Sequence, residues 1–463
     1  MVTTNENLID STYDKALHFS NLNPNPTYSE RYETLEKLKK IFIKSSEEIN
    51  VALFNDLGKS EYEAQISEAA LVIHEIEINQ KNMKKWMKPR KVKTPLVLTP
   101  ASSKIVAEPF GLVLIIGPWN YPLNLLGTPL IGSIAAGNTT IVKPSELAPH
   151  TSKLCLKMIQ ELNSPYVKIL EGGVQETTLI LKKRFDHIFF TGSPRVGKII
   201  MEAASKHLTP VTLELGGKSP TIIWEDQNLD IVASRIVWGK FLNCGQTCIA
   251  PDYLIVQDKI KDKLVEKLKL KIREFYGDKP LESPDYGKII NENNYQRLVS
   301  LIDHDKLIFG GQTLAQKHKI APTLVNADTN SAIMKEEIFG PILPIISIKE
   351  LKEIDEIIAL NPRPLAIYLF TLEKSLVSHF EKNIKSGALC VNDTIIQISN
   401  FHLPFGGIGN SGMGSYHGIH SFDNFSHFKP VIQRKQMLDL TLRYPPYKGK
   451  LKNTSKLLKW FGH

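Results

Sequence analysis

Apolar positions recur at spacings of three and four across residues 28–55 and 60–88, with Glu and Lys on the remaining faces. That pattern predicts two helical stretches punctuated by Gly58. From about residue 104 the period changes. Apolar runs of strand length fall at 111–116, 139–142, 167–170, 187–190, 211–213 and 221–224, separated by helix-period segments at 123–136, 151–162, 195–206 and 229–242. Repeated strand–helix units of this length predict a parallel sheet covered by helices. A second alternating block runs from about 253 to 391. Its strands are predicted at 253–256, 343–348, 365–371 and 389–391, and its helices at 259–274, 291–303, 350–360 and 374–385. Residues 400–430 are rich in Gly, Phe and His. No repeat or low-complexity linker separates the blocks, so two α/β domains packed directly on each other are expected. Ligands then belong at strand carboxyl ends between them.

The length of 463 residues suits two or three domains, and 42% hydrophobic residues with 23% charged ones exclude a disordered chain, a coiled coil and a collagen. Basic residues exceed acidic ones by 57 to 48, a net +9, with the surplus concentrated at the end. No acid follows Asp439, whereas Lys448, Lys450, Lys452, Lys456 and Lys459 do. The balanced body argues against a nucleic-acid platform. The tail reads either as a solvated basic end or as a weak contact with an anionic membrane, because Leu451, Leu457, Leu458, Trp460 and Phe461 are interleaved with the lysines. The four cysteines (Cys155, Cys244, Cys248, Cys390) are too few to staple the chain and lack zinc spacing, so no metal is expected. Free thiols imply a reducing, cytoplasmic setting, and the first residues show no secretory pattern. Residues 109–142 carry no charge over 34 positions, but Pro118, Asn120, Pro122, Asn124 and Pro129 make them a buried strand, turn and helix rather than a membrane span.

Six short motifs could carry chemistry. Cys248 follows a helical segment and Gly245, in a loop. A thiolate there would attack carbonyl carbon; the same thiol, like Cys244 before it, can equally be a small buried apolar residue. Glu214, in Leu213-Glu-Leu-Gly-Gly-Lys-Ser-Pro220, ends an apolar strand ahead of Gly216 and Gly217. A carboxylate so placed is either paired or poised as a general base. His187-Ile-Phe-Phe-Thr-Gly192-Ser193-Pro-Arg-Val-Gly197 runs from strand into helix, the arrangement that receives a phosphate on helix amides, and also that of an ordinary strand-to-helix turn. Asn120, held between Pro118 and Pro122, is either an oxyanion donor or a turn cap. Lys143 and Glu146 end a strand where ribose contacts form, and Glu337 and Phe339 lie in a similar polar loop. A Gly-x-Gly-x-x-Gly match at 407–412 lacks the strand before it and the helix after it, and is set aside.

The order of these motifs resembles the aldehyde dehydrogenase superfamily over nearly the whole chain. Phe-x-x-x-Gly-Gln-x-Cys fits 241–248 and Leu-Glu-Leu-Gly-Gly-Lys-Ser-Pro fits 213–220. The short section before Pro-Trp-Asn, Leu403-Pro-Phe-Gly-Gly and Tyr416-His-Gly are similar to the class 3 branch, which includes fatty, medium-chain and, in some bacteria, carotenoid-derived aldehyde dehydrogenases. The resemblance implies an α/β, aldehyde dehydrogenase-like fold. A Rossmann-like cofactor domain would span 1–88 and 106–212, and an α/β catalytic domain 213–391. A small β bridging and oligomerisation element would span 89–105 and 392–430, leaving 431–463 as a tail. It implies a homodimer and NAD as cofactor, with NADP possible. Gly192, Ser193 and Gly197 would hold the cofactor phosphate, Lys143 and Glu146 the adenosine ribose, and Leu215, Glu337 and Phe339 the nicotinamide side. Glu146 would repel a 2′-phosphate.

The expected reaction is oxidation of an apolar aldehyde through Cys248, with Asn120 holding the oxyanion and Glu214 activating water. Trp119, Tyr121, Trp238, Ile249 and Phe405 would wall the substrate. Gln397 stands where class 3 members often carry His, which bears on substrate choice. An acyl-coenzyme A product and a catalytically silent protein on the same fold are the alternatives; a cysteine hydrolase would need a partnered His that has no place near Cys248.

Overall fold

The computed structural model describes residues 5–225, 227–437, 439 and 443–450. Leu112–Ile116 lies near the centre of a six-stranded sheet, flanked by Thr139–Lys143 and then Val167–Ile169 on one side. His187–Thr191 and then Val211–Glu214 flank it on the other, all five running parallel. Successive side chains go to opposite faces. Val113 and Ile115 enter the larger core, whereas Leu112, Leu114 and Ile116 join a second core under the N-terminal helix Glu6–Leu22. Burial on both faces is why these strands read as unbroken apolar runs. The helix Asn124–Ala136 is buried along its whole length, which accounts for the charge-free stretch.

The second sheet has seven strands in the order Leu307–Phe309, Thr323–Asn326, Ile342–Ile348, Tyr253–Gln257, Pro220–Ile223, Ala366–Phe370 and Ala388–Val391. All but the first are parallel. A third, antiparallel sheet joins Arg90–Val92, Ala101–Pro109 and Ser426–Arg434, the last two pairing over nine residues.

Three boundaries move. The expected domain change at 213 falls inside the strand Val211–Glu214, so the crossing between the two large sheets comes after Glu214. Gly412–Met413, expected in the bridge, pairs with that same strand and completes the first sheet. The bridging sheet itself extends to Pro109 and Arg434. Periodicity also missed the helix Glu6–Leu22, and it read 60–88 as uniform where a π turn, Gln65–Ala69, interrupts the helix. Among the described residues no helix is long and apolar enough to cross a membrane, and no three His, Cys, Asp or Glu side chains group as metal ligands. The four cysteines are free. The tail hydrophobes 451–461 lie outside the described residues.

Candidate active site

The two large sheets meet at a cavity of about 770 Å³, within the usual range for small-molecule sites. Cys248, Glu214, Asn120 and Trp119 line it, together with Gly192, Ser193, Leu215, Glu337 and Phe339.

Cys248 sits on a loop whose backbone is fixed by its own sequence. Asn243 and Cys244 adopt left-handed φ values of 51° and 53°, turning the chain sharply after the helix Leu229–Phe241. Gln246, fully buried, donates from Nε2 to the carbonyls of Asn243 and Lys288, both at 3.0 Å. Its Oε1 accepts from Ile290 N–H at 3.0 Å. That network explains why glutamine precedes the thiol by two positions. Burial pushes the Cys248 thiol up, and the Glu337 and Glu214 carboxylates push it the same way.

Asn120, 3% exposed, donates from Nδ2 to the Gln246 carbonyl at 3.0 Å. An amide nitrogen has two protons, so one remains for the cavity that Asn120 lines. Glu214 is 2% exposed, and neither carboxylate oxygen has a hydrogen-bond partner. Burial alone lifts its pKa well above the ordinary glutamate value. Glu337 lies against the glycine pair: a Cβ on Gly216 would stand 2.0 Å from its Oε2. Its carboxyl is raised to about 8 by burial and by Asp252, against the Gly217 N–H. Lys218 steadies this loop, bonding the Ile333 and Glu336 carbonyls at 2.8 and 3.0 Å and pairing with Asp252.

The strand His187–Thr191 delivers Gly192 and Ser193 to the start of the helix Pro194–Ser205. Ser193 caps that helix by accepting from Val196 N–H at 3.4 Å, which leaves its hydroxyl proton free to donate. Thr191 Oγ1, buried and without a partner, faces the same cavity. Gly197 is not in the wall: a Cβ there would meet Leu215 Cδ2 at 2.8 Å, so the residue lets the helix close on Leu215.

Lys143 and Glu146 also lie outside the wall, paired with each other at 2.7 Å beyond the strand end. Tyr121, Trp238, Ile249 and Phe405 are likewise absent from it. Tyr121 bonds Thr247 Oγ1 at 2.7 Å; Phe405 packs edge-on to Tyr416 and stacks on His417. Ile249 is buried and its carbonyl accepts from Tyr368 Oη; Trp238 is exposed on the preceding helix. Gln397 donates to that same Tyr368 hydroxyl at 3.2 Å, one residue removed from Ile249.

A charged group lies beneath this site that motif reading did not single out. Lys59, Glu63 and Glu68 are all buried: Lys59 donates to the Asn120 carbonyl and pairs with Glu68, and Glu63 accepts from Asn243 N–H. Glu68 stands in the apolar-flanked run Ala64–Ala70, the one signal that could have marked it.

The part-buried thiol, the unpartnered carboxylate, the spare amide proton and the capped helix start suit a dinucleotide and an acyl-forming nucleophile in one crevice. Comparison with known proteins agrees. The sequence profile of the Aldehyde dehydrogenase family matches residues 3–431. The 4,4'-diaponeurosporen-aldehyde dehydrogenase of Staphylococcus aureus (strain NCTC 8325 / PS 47) is 44% identical over 98% of this chain and all of its own. The dimeric NADP-preferring aldehyde dehydrogenase of Rattus norvegicus is 42% identical over 96% of this chain and 99% of its own. The solved structure described as the substrate-bound state of Staphylococcus aureus AldH superposes with a TM-score of 0.95 at 43% identity, covering 97% of this chain and 99% of that one. The chain belongs to the aldehyde dehydrogenase family.

Proposed function

We propose that the cavity oxidises an apolar aldehyde to its carboxylic acid through a thioester on Cys248, with NAD or NADP. The observation that carries this reading is the placement of Cys248, the unpartnered Glu214 and the Gly192–Ser193 helix start on one cavity. The sulfur anion of Cys248 adds to the carbonyl carbon and forms a thiohemiacetal. The free Asn120 amide proton and the Cys248 backbone N–H hold the resulting oxyanion; losing one such donor raises the barrier by about 3–4 kcal/mol. Gly192 and Ser193 would hold the cofactor phosphate and Glu337 and Phe339 the nicotinamide side; the bound cofactor would supply the acceptor for the hydride that the thiohemiacetal loses in becoming the Cys248 thioester. Glu214 then takes a proton from water, which attacks the thioester and releases the acid and the thiol.

Glu146, beyond the strand Thr139–Lys143, favours NAD because a carboxylate repels a 2′-phosphate. Trp119, Leu125 and Phe339 on the cavity wall favour an aliphatic, aromatic or long apolar aldehyde, and the relative named 4,4'-diaponeurosporen-aldehyde dehydrogenase fits that class. Gln397 acts on substrate choice through Tyr368 and Ile249. A homodimer is proposed from the three-stranded antiparallel sheet, in which the nine-residue strand Ser426–Arg434 is the outer strand among the described residues, and from the relative named as dimeric. Four free thiols support a cytoplasmic setting. The basic, aromatic tail is proposed to touch anionic membranes weakly; unchanged liposome association after deleting 446–463 would remove that proposal.

The test is a panel of aldehydes of rising chain length, read by cofactor reduction. Rising kcat/KM with chain length and poor use of sugar aldehydes are expected; a preference for charged aldehydes would overturn the substrate class. Added coenzyme A should yield no acyl-coenzyme A, since Glu214 directs water to the thioester.

A further inference from the structure

A lysine with no exposed surface lies under the site, on a segment belonging to neither large sheet. The Lys59 ammonium has three protons, and its surroundings provide three acceptors. Glu68 Oε1 lies at 2.7 Å, the Asn120 carbonyl at 3.2 Å, and the face of the Tyr121 ring at 3.9 Å from its centroid. The other Glu68 oxygen accepts from the backbone N–H groups of Leu123 and Asn124, at 3.0 and 2.9 Å. These open the buried helix Asn124–Ala136 and have no partner within it.

The pair therefore grips the Pro118–Asn124 corner at both ends. Lys59 holds the carbonyl of the very residue whose side-chain amide faces the cavity. Glu68 fixes the backbone a turn later. The Asn120 carbonyl has a second donor, Asn243 Nδ2 at 2.8 Å, from the loop that carries Cys248. Asn243 N–H in turn donates to Glu63 Oε1 at 2.8 Å. Tyr121, seated on Lys59, reaches the residue before the thiol through Thr247. Glu68 itself stands on the π turn Gln65–Ala69, a rare local geometry that recurs at functional sites. The turn re-aims one side chain within an otherwise regular helix.

We propose that Lys59, with Glu68, is the positioning residue of the oxyanion site: it fixes the Asn120 peptide so that the side-chain amide and the Cys248 loop keep one mutual geometry. This rests on the reading of Asn120 as oxyanion donor. A buried charge pair is a weak argument for stability, since apolar or neutral isosteres often serve that end as well.

Lys59→Met alone strands the Glu68 carboxylate in the interior and can unfold the chain. The informative variant is Lys59→Met/Glu68→Gln, which neutralises both groups at nearly constant shape. It should keep the wild-type thermal midpoint and wild-type cofactor affinity by fluorescence titration, yet lose kcat/KM for aldehyde by about 10²-fold, the range of a misplaced oxyanion donor. Combined with Asn120→Ala, it should lose no more than Asn120→Ala alone, because the two changes disable one device. A neutral pair with kcat/KM within about threefold of wild type, or losses that multiply with Asn120→Ala, overturns the proposal. Should the neutral pair not fold, Glu68→Asp, which keeps both charges and withdraws the carboxylate by one methylene, is read against the same two outcomes. If Asn120→Ala itself leaves turnover of wild-type substrate intact, the oxyanion reading fails first, and the Lys59 role fails with it.

Discussion

Thr191 and Glu214 stand opposite each other on adjacent parallel strands, and neither side chain has a hydrogen-bond partner. Two orphaned polar groups side by side in a buried position are costly unless something enters to satisfy them. Glu214→Gln keeps the shape and removes the base. It should preserve a rapid first turnover of cofactor reduction while slowing the steady state by about 10²-fold or more, the usual weight of a general base. Stopped-flow measurement of both phases decides; equal loss in the two would refute a role in releasing the thioester.

Cys248→Ala should abolish turnover, and Glu337→Gln probes how the thiol is held. The Glu337 carboxylate is the first charged cause of the raised Cys248 pKa, after burial itself. Neutralising it favours the thiolate, so alkylation of Cys248 by iodoacetamide should begin at lower pH in the variant. An unchanged or alkaline-shifted profile would show that Glu337 does not face the sulfur in solution.

The Lys143–Glu146 pair sets the third expectation. Glu146→Gln removes the negative charge a 2′-phosphate would meet, and the ratio of kcat/KM for NADP over NAD should rise by roughly tenfold, equivalent to about 1.4 kcal/mol. Steady-state kinetics with both cofactors measures it; a constant ratio places the ribose elsewhere.

Two buried imidazoles predict the acid limit of stability. His187 packs between Phe110 and Phe425, His417 stacks on Phe401, and burial lowers each pKa to about 3. The unfolded imidazole titrates near 6.5, so above that pH neither state binds the proton. As pH falls below it, the unfolded chain takes up protons that the folded chain refuses, and stability declines from there toward pH 3. Each group contributes up to about 1.4 kcal/mol per pH unit in that window. His187→Gln, which can keep the contact with Thr212, should lose less thermal midpoint than wild type between pH 7 and pH 5.

Legibility in the sequence followed the physics of each feature. Strands such as Leu112–Ile116 were readable because burial on both faces makes their pattern continuous, and their ends fell within a residue or two. Cys248, Glu214 and Asn120 stood out as candidates because each breaks the expectation for its neighbourhood, but only the order of their motifs, through the family resemblance, favoured chemistry over a structural role. The helix Glu6–Leu22 was missed because it buries only Ile9, Tyr13, Ala16 and Ser20, too thin a stripe to stand out. Lys59 and Glu68 were missed because little apart from the small apolar residues flanking Glu68 separates a buried ion pair from a solvated one; the approach of Asn120, from another part of the chain, makes the difference.

The strand that ends in Glu214 is sealed at its margin by Gly412–Met413, which are among the last residues to be synthesised in the folded body. A ribosome that stalls before them releases a polypeptide already bearing its nucleophilic sulfur but with a bare sheet margin beside the carboxylate. A bare sheet margin of that kind favours edge-to-edge association over a weakened catalyst.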